Sequence, residues 1–182
     1  MLYQAVELQF SDPAGTLRLL GEIVERAADA RDQATPMAAT GALAGAMRAH
    51  LNRDHEAAAT EAQRALDLLP PDDMRGRGTA LQTLGRAAEA AGDIAEARRI
   101  YERGLAEARA SDRERAIGTF LLLVGSAQLA SGELEAAAAS SLEARTVHAR
   151  RGDRLAEELA LYQHGAVLAQ AGATVEAIAV LR

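Results

Sequence analysis

Apolar residues recur along this chain at intervals of three and four, the spacing of one face of a helix, and no stretch alternates as a strand would. Residues 2–10 read as a first helix, stopped at Ser11-Asp12-Pro13, where Ser11 or Asp12 can cap and Pro13 suits a first turn. The next helix runs to about Arg31, with Leu17, Leu20, Val24, Ala27 and Ala28 on one face. Thr35-Pro36 repeats the cap-plus-proline start. Helix pairs then follow at 36–51 with 54–69, 73–91 with 94–110, and 112–130 with 133–150. A fourth pair begins at Asp153 and turns at Gly172. Pro70-Pro71-Asp72-Asp73 closes the first pair and caps the second, and Asp93 followed by Glu96 resembles a capping box.

A fixed period runs through these elements. Gly45, Gly85, Gly125 and Gly165 stand forty residues apart, as do Asn52, Gly92, Gly132 and Gly172, and Ala57, Ala97, Ala137 and Ala177. Such a period marks an array of stacked supersecondary units. Glycine inside a helix costs roughly 1 kcal/mol relative to alanine, so its repetition implies a packing benefit. Gly85 with Ala97, Gly125 with Ala137 and Gly165 with Ala177 are therefore expected where two antiparallel helices cross closely. Gly92, Gly132 and Gly172 fall at helix ends, where a left-handed residue is needed. Larger residues, Leu81, Leu84, Ile94, Tyr101, Leu121, Val124, Leu134 and Leu161, are left to fill the space between pairs. The first pair departs by one residue: its alanines and Pro70 align better at an offset of 39.

Composition agrees with thin helical layers. Of 182 residues 49% are hydrophobic, about half of these alanine, and only three Tyr and two Phe are present. The absence of cysteine excludes disulfides and thiol chemistry. All 20 basic residues are Arg, and the net charge is −6. Arg and Asp/Glu intermingle along the helices, as in Glu96, Arg98, Arg99, Glu102 and Arg103, which describes a solvated face rather than a nucleic-acid surface. No apolar run reaches the length of a membrane span, and the N-terminus lacks a secretory pattern.

Catalytic motifs are missing: there is no phosphate loop, no nucleophile elbow and no paired carboxylate at a helix end. Asp72, Asp73 and Asp93 are expected as caps. His50 and His55 stand five apart across a turn, which does not put both on one helical face for a metal. His164, beside Gly165, is expected to be a satisfied histidine between helices. The chain thus reads as non-enzymatic, with no cofactor and no metal.

The stretch Leu81-Gln-Thr-Leu84-Gly85-Arg-Ala-Ala-Glu-Ala-Ala-Gly92-Asp93-Ile-Ala-Glu-Ala97, followed by Tyr101 and Leu105, resembles a tetratricopeptide repeat. The stretches starting at Leu121 and Leu161 are similar, and Asp54 to Pro70 resembles a second helix ending in the family's proline. The forty-residue period resembles the longer variety found in sensor arms of large ATP-binding transcriptional activators of the LuxR and maltose-activator type. That resemblance implies an all-α, right-handed superhelical array of about nine to ten helices. It would be one domain over 1–182, with repeats near 1–33, 36–70, 73–110, 112–151 and an incomplete 153–182. A cytoplasmic protein is expected, and this chain is expected to be a fragment of a larger one, since the last helix would begin near Thr174 and leave Val175, Ile178 and Leu181 partly uncovered.

The resemblance further implies a concave groove lined by the first helix of each pair, holding a peptide, a protein or a small effector. By register it would expose Gln82, Arg86 and Glu89, then Leu122, Ser126 and Leu129, then Tyr162, Ala166 and Gln170. Arg86 suits a carboxylate and Tyr162 a flat contact. The expected roles are the regulatory part of a transcriptional regulator, a stand-alone adaptor, or a module that self-associates through its C-terminal face. Direct binding of nucleic acid or membrane is not expected of this segment.

Overall fold

The structure, a computed structural model, describes residues 12–28 and 36–180. The expected helix at 2–10, the caps Ser11 and Thr35, and Leu181 lie outside the described residues. Those described form nine helices and no strand: α1 (Pro13–Ala28), α2 (Pro36–Leu51), α3 (His55–Leu68), α4 (Met74–Ala90), α5 (Ile94–Ala110), α6 (Glu114–Ala130), α7 (Leu134–Arg151), α8 (Arg154–Gln170) and α9 (Thr174–Val180). The chain is all-α, as the spacing of its apolar positions predicts. It divides into two compact units, Met1–Gly92 and Asp93–Arg182.

In the first unit α2 and α3 form a hairpin, α1 packs against α2, and α4 packs against both α3 and α2. Leu20 and Ile23 of α1 meet Ala44 and Met47 of α2 in a small apolar cluster. In the second unit α6 and α7 form the corresponding hairpin. There α5 packs on α6, α8 packs on α7 and α6, and α9 closes against α8. Tyr101 and Phe120 are fully buried, with Leu121 and Val124 close behind, so these large side chains sit in the interior. Leu84, Ile94, Leu134 and Leu161, expected beside them, are only half-buried.

The turns share one construction. Gly92, Gly132 and Gly172 have φ of 84°, 76° and 80°, as expected of left-handed helix ends. Gly152 at 69° and Asp112 at 50° adopt the same conformation, so a left-handed residue occurs every twenty positions from Gly92 onward. The residue after it donates its N–H back across the helix end: Arg113 to Ala108 O at 3.0 Å, Glu133 to Gln128 O at 2.9 Å, Asp153 to His148 O at 3.1 Å and Ala173 to Leu168 O at 2.9 Å. This closure satisfies carbonyls that the helix end leaves without partners. In the first pair the left-handed residue is Arg53, at φ 61°, not Asn52. Ala58, with no exposed surface, rather than half-exposed Ala57, then takes the buried alanine position. Both residues stand 39 before their counterparts, which is the offset anticipated from Pro70.

Aspartates start several of the helices. Asp12, Asp54, Asp73 and Asp93 accept the N–H of Gly15, Ala57, Gly76 and Glu96 at 2.9, 3.0, 2.9 and 2.9 Å. Glu96 turns both carboxylate oxygens to Arg99. The helix expected from 112 begins instead at Glu114, because Asp112 is spent on the left-handed turn and Arg113 precedes the helix without a side-chain cap.

Small residues set the crossings, with one correction. A side chain at Gly125 would meet Ser140 Cβ at 3.3 Å and the Gln163 amide, and one at Gly45 would meet Glu61 Cγ at 3.3 Å. Gly125 therefore faces a position one helical turn beyond Ala137, because the turn geometry offsets the two helices. Ala97 and Ala137 are fully buried and Ala177 is 4% exposed, and Gly85 and Gly165 are buried too. Gly104, not singled out by any periodicity, is among the tightest contacts: a Cβ there would overlap the Phe120 ring.

These environments separate three glycine-to-alanine substitutions that sequence alone treats alike. Gly21→Ala, mid-helix with open space around it, should stabilise by about 1 kcal/mol. Gly132→Ala should destabilise by about 1 kcal/mol through its positive φ. Gly104→Ala should cost about 1–2 kcal/mol, since overpacking against Phe120 outweighs the gain in helix propensity. Denaturant titration checks the order; equal effects at the three sites would contradict it.

Candidate functional site

The register that predicts a groove can be followed in each unit separately. On α4 of the first unit, Gln82, Arg86 and Glu89 follow i, i+4, i+7 spacing and share one face. Arg86 is exposed, while Gln82 and Glu89 are half-buried. The neighbouring first helix is α2, which packs on α4. Its last turn carries His50, and His55 opens α3. Nδ1 of both histidines is buried and without a hydrogen-bond partner among the described residues. The His50 pKa is held below its ordinary value, first by burial and then by the positive charge of Arg86 and by His55. The positive charge of Arg86 is thus felt by His50 on the helix packed against α4, a relation that a separation of 36 positions conceals in the sequence.

In the second unit Leu122, Ser126 and Leu129 lie half-buried on α6, and Tyr162 on α8 is 67% exposed, with Gln170 exposed beyond it. Ala166 between them is half-buried. Leu159, one turn before Tyr162, is 52% exposed and was not anticipated, although it stands forty after Thr119 and eighty after Thr79. Leu155, a further turn back, is 70% exposed. This face of α8 is an apolar strip, whereas the matching positions on α4 are polar.

Beneath that strip lies a polar layer that sequence reading missed. Gln163 of α8 donates its Nε2–H to the Leu122 carbonyl of α6 at 2.9 Å, tying the two first helices together. Its Oε1 is buried and without a partner. Ser140 donates to Gln128 Oε1 at 2.8 Å, a fully buried bond between α7 and α6. Ser141 Oγ lies 3.3 Å from His164 Nδ1, so His164 does bridge two helices as expected. The signal for Gln163 was Gly125: removing the side chain from α6 makes the room that the glutamine amide occupies. His148 is 1% exposed with neither ring nitrogen bonded, fitted against the bare backbone of Gly118, and stands apart from this layer.

Between α1, α2 and α3 runs a cavity of about 640 Å3, floored by Ala38, Gly41, Ala42, Gly45 and Ala49 and edged by Arg48 and Arg64. None of the expected groove residues lines it. Among the described residues no group of three or more histidine or acidic side chains could hold a metal ion, and no helix is long and apolar enough to cross a membrane.

With this geometry in place, comparison with solved structures is informative. The apo form of RapI superposes with a TM-score of 0.81 at 10% identity, over 98% of this chain and 65% of RapI. The chain therefore spans slightly less than two thirds of RapI's length. A putative kinesin light chain of Podosopora anserina with nearly identical TPR-like repeats gives 0.75 at 17% identity, covering 99% of this chain and 89% of that one. BtubC (BKLC) from P. vanneervenii gives 0.74 at 16% identity, over 99% and 84%. The fold is a tetratricopeptide-like helical repeat. No family model matches the chain, and no curated protein sequence does. At such identities the likeness extends to the fold alone.

The charge environment of His50 gives a direct check. Because its folded pKa lies below the unfolded value of about 6.5, the unfolded chain takes up the proton first. This group's contribution to stability is therefore intact above pH 6.5 and is lost as pH falls from there through the lowered pKa. Removing the positive charge with Arg86→Gln should raise the His50 midpoint toward 6.5, followed by the imidazole NMR signal. An unchanged midpoint would mean that Arg86 does not face His50.

Proposed function

We propose that this chain is a non-enzymatic interaction and sensor module, one repeat domain over 1–182, whose first helices bind a peptide or protein segment or a small effector. The observation that carries this reading is the face of α8. Leu159 and Tyr162 are more than half exposed there, while the interior positions of the same helix, Ala160 and Val167, are 0% and 2% exposed. An aromatic ring and aliphatic side chains presented on a rigid helix favour a partner that buries them, at little cost in ordering. Gln82, Arg86 and Glu89 on α4, and Leu122, Ser126, Leu129 and Gln170 in the second unit, would add polar and apolar contacts of moderate specificity.

The wider context we propose is the regulatory arm of a multidomain, cytoplasmic regulator of the LuxR type, on the strength of the long repeat. A stand-alone adaptor uses the same surface. Self-association through the C-terminal end is a second reading, favoured by Val175 and Ile178, which are 78% and 49% exposed on α9. The mixed charge of the helices and the net charge of −6 favour a protein or peptide partner over nucleic acid.

Peptides selected against the protein from a random library test the reading. Bound peptide should shift the amide signals of residues 122, 126, 129, 162 and 170 of the second unit, and Tyr162→Ala should weaken binding about tenfold. Peptides that map to the outer faces of α3, α5 and α7 and ignore Tyr162→Ala would overturn it.

A further inference from the structure

The cavity of the first unit lies apart from the proposed groove residues, and it opens where α2 lacks side chains that later helices carry. Both α1 and α3 pack on α2, and the space of about 640 Å3 between them is floored by α2. Gly41 on that floor stands forty before Leu81 and eighty before Leu121, both of them buried. Ala42 stands forty before Gln82 and eighty before Leu122. A Cβ on Gly41 would overlap that of Ala27, so α1 lies close over this end of α2 and closes one side. Gly45 and Ala49, one and two turns on, keep the rest of the floor low. A volume of this size is that of sites enclosing a small organic molecule.

The rim is charged and one carboxylate short. Glu61 of α3 lies 3.8 Å from Arg64, and Asp54 accepts the Ala57 N–H at 3.0 Å. Arg48 of α2 is half-buried, lines the cavity and makes no ion pair or side-chain hydrogen bond among the described residues. Asn52, one turn on, lines it too, and its side-chain amide is equally without a partner among them. In the second unit the residue eighty after Arg48 is Gln128, which is neutral and bonded to Ser140. Helix packing at this position therefore does not require a guanidinium. An open guanidinium fork, flanked by an amide over an apolar floor, matches one carboxylate carried on a compact apolar body. Parallel N–H···O bonds hold the head, and the body covers the alanines.

We infer that this cavity binds a small organic monocarboxylate, with Arg48 and Asn52 holding the acid and Ala42, Gly45 and Ala49 receiving its apolar part. The site belongs to the first unit alone and does not depend on the peptide groove. A ligand seated there touches α1, α2 and α3 together, so occupancy stabilises the first unit by mass action.

The test is an NMR titration of the intact protein with para-tert-butylbenzoate and, in parallel, with para-tert-butylbenzyl alcohol and para-tert-butylbenzylamine. The acid should shift the amides of residues 42, 45 and 49 and the Arg48 Nε–H signal, and should bind about tenfold more tightly than the alcohol or the amine. Arg48→Gln should remove that preference and leave affinity for the alcohol unchanged. Ala49→Leu, which fills the floor with the side chain found at residue 129, should abolish binding of all three. The amide spectra of the variants report their folding. Should Arg48→Gln unfold, Arg48→Lys keeps the charge without the fork and should weaken the acid severalfold while sparing the alcohol. Equal binding of acid and alcohol, tighter binding of the amine, or a preference for the acid that survives Arg48→Gln overturns the carboxylate assignment. Undiminished binding to Ala49→Leu overturns the cavity as its place. Shifts confined to Leu122, Tyr162 and Gln170 overturn this site and leave the groove standing. No shift at residues 42, 45 and 49 up to the solubility limit of the acid overturns the proposal.

Discussion

Close approach of helix backbones is the constraint on which the rest of this structure depends. A chain with five aromatic residues and an abundance of alanine cannot fill wide gaps between helices. It reaches native packing density only if the helices draw together. The structure does so at Ala58, Ala62, Ala97, Ala137 and Ala160, all without exposed surface. Where one residue is larger, its neighbour is smaller still: Phe120 fits because residue 104 is glycine, and His148 fits because residue 118 is. Drawing the helices together also favours short turns, and the short turns at 53, 92, 112, 132, 152 and 172 each use a left-handed residue.

Much of this could be read before any coordinates. Helix limits followed from Pro36, Pro70, Gly92, Gly132 and Gly172 to within a residue or two, because proline and left-handed glycine leave few alternatives. The finer spacing was hidden because Asp112 and Arg53 adopt a conformation that their side chains do not advertise. Which small residue meets which neighbour was also hidden. Gly125 and Ala137 share a period, but the glycine faces Ser140 and Gln163, since periodicity fixes the repeat and not the offset between paired helices.

The candidate site divides in the same way. Positions 82, 86, 89, 122, 126, 129, 162 and 170 follow from register; Arg86, Tyr162 and Gln170 are exposed and the others half-buried. The Gln163 bridge and the effect of Arg86 on His50 depend on distances between helices that one-dimensional periodicity does not contain. The two units offer different chemistry on equivalent helices, polar on the first and apolar on the second. A repeat scaffold acquires selectivity in this manner, by varying the residues that packing leaves untouched.

Amide hydrogen exchange on the intact protein tests the central claim most directly. Stacked, tightly crossed helices should give blocks of slow exchange within 94–110, 114–130, 134–151 and 154–170, each broken by rapid exchange at the left-handed residue and the first helical turn after it. A slow-exchanging segment running unbroken through Gly132 or Gly152 would contradict the account, because the hairpins would then not turn where the small residues require.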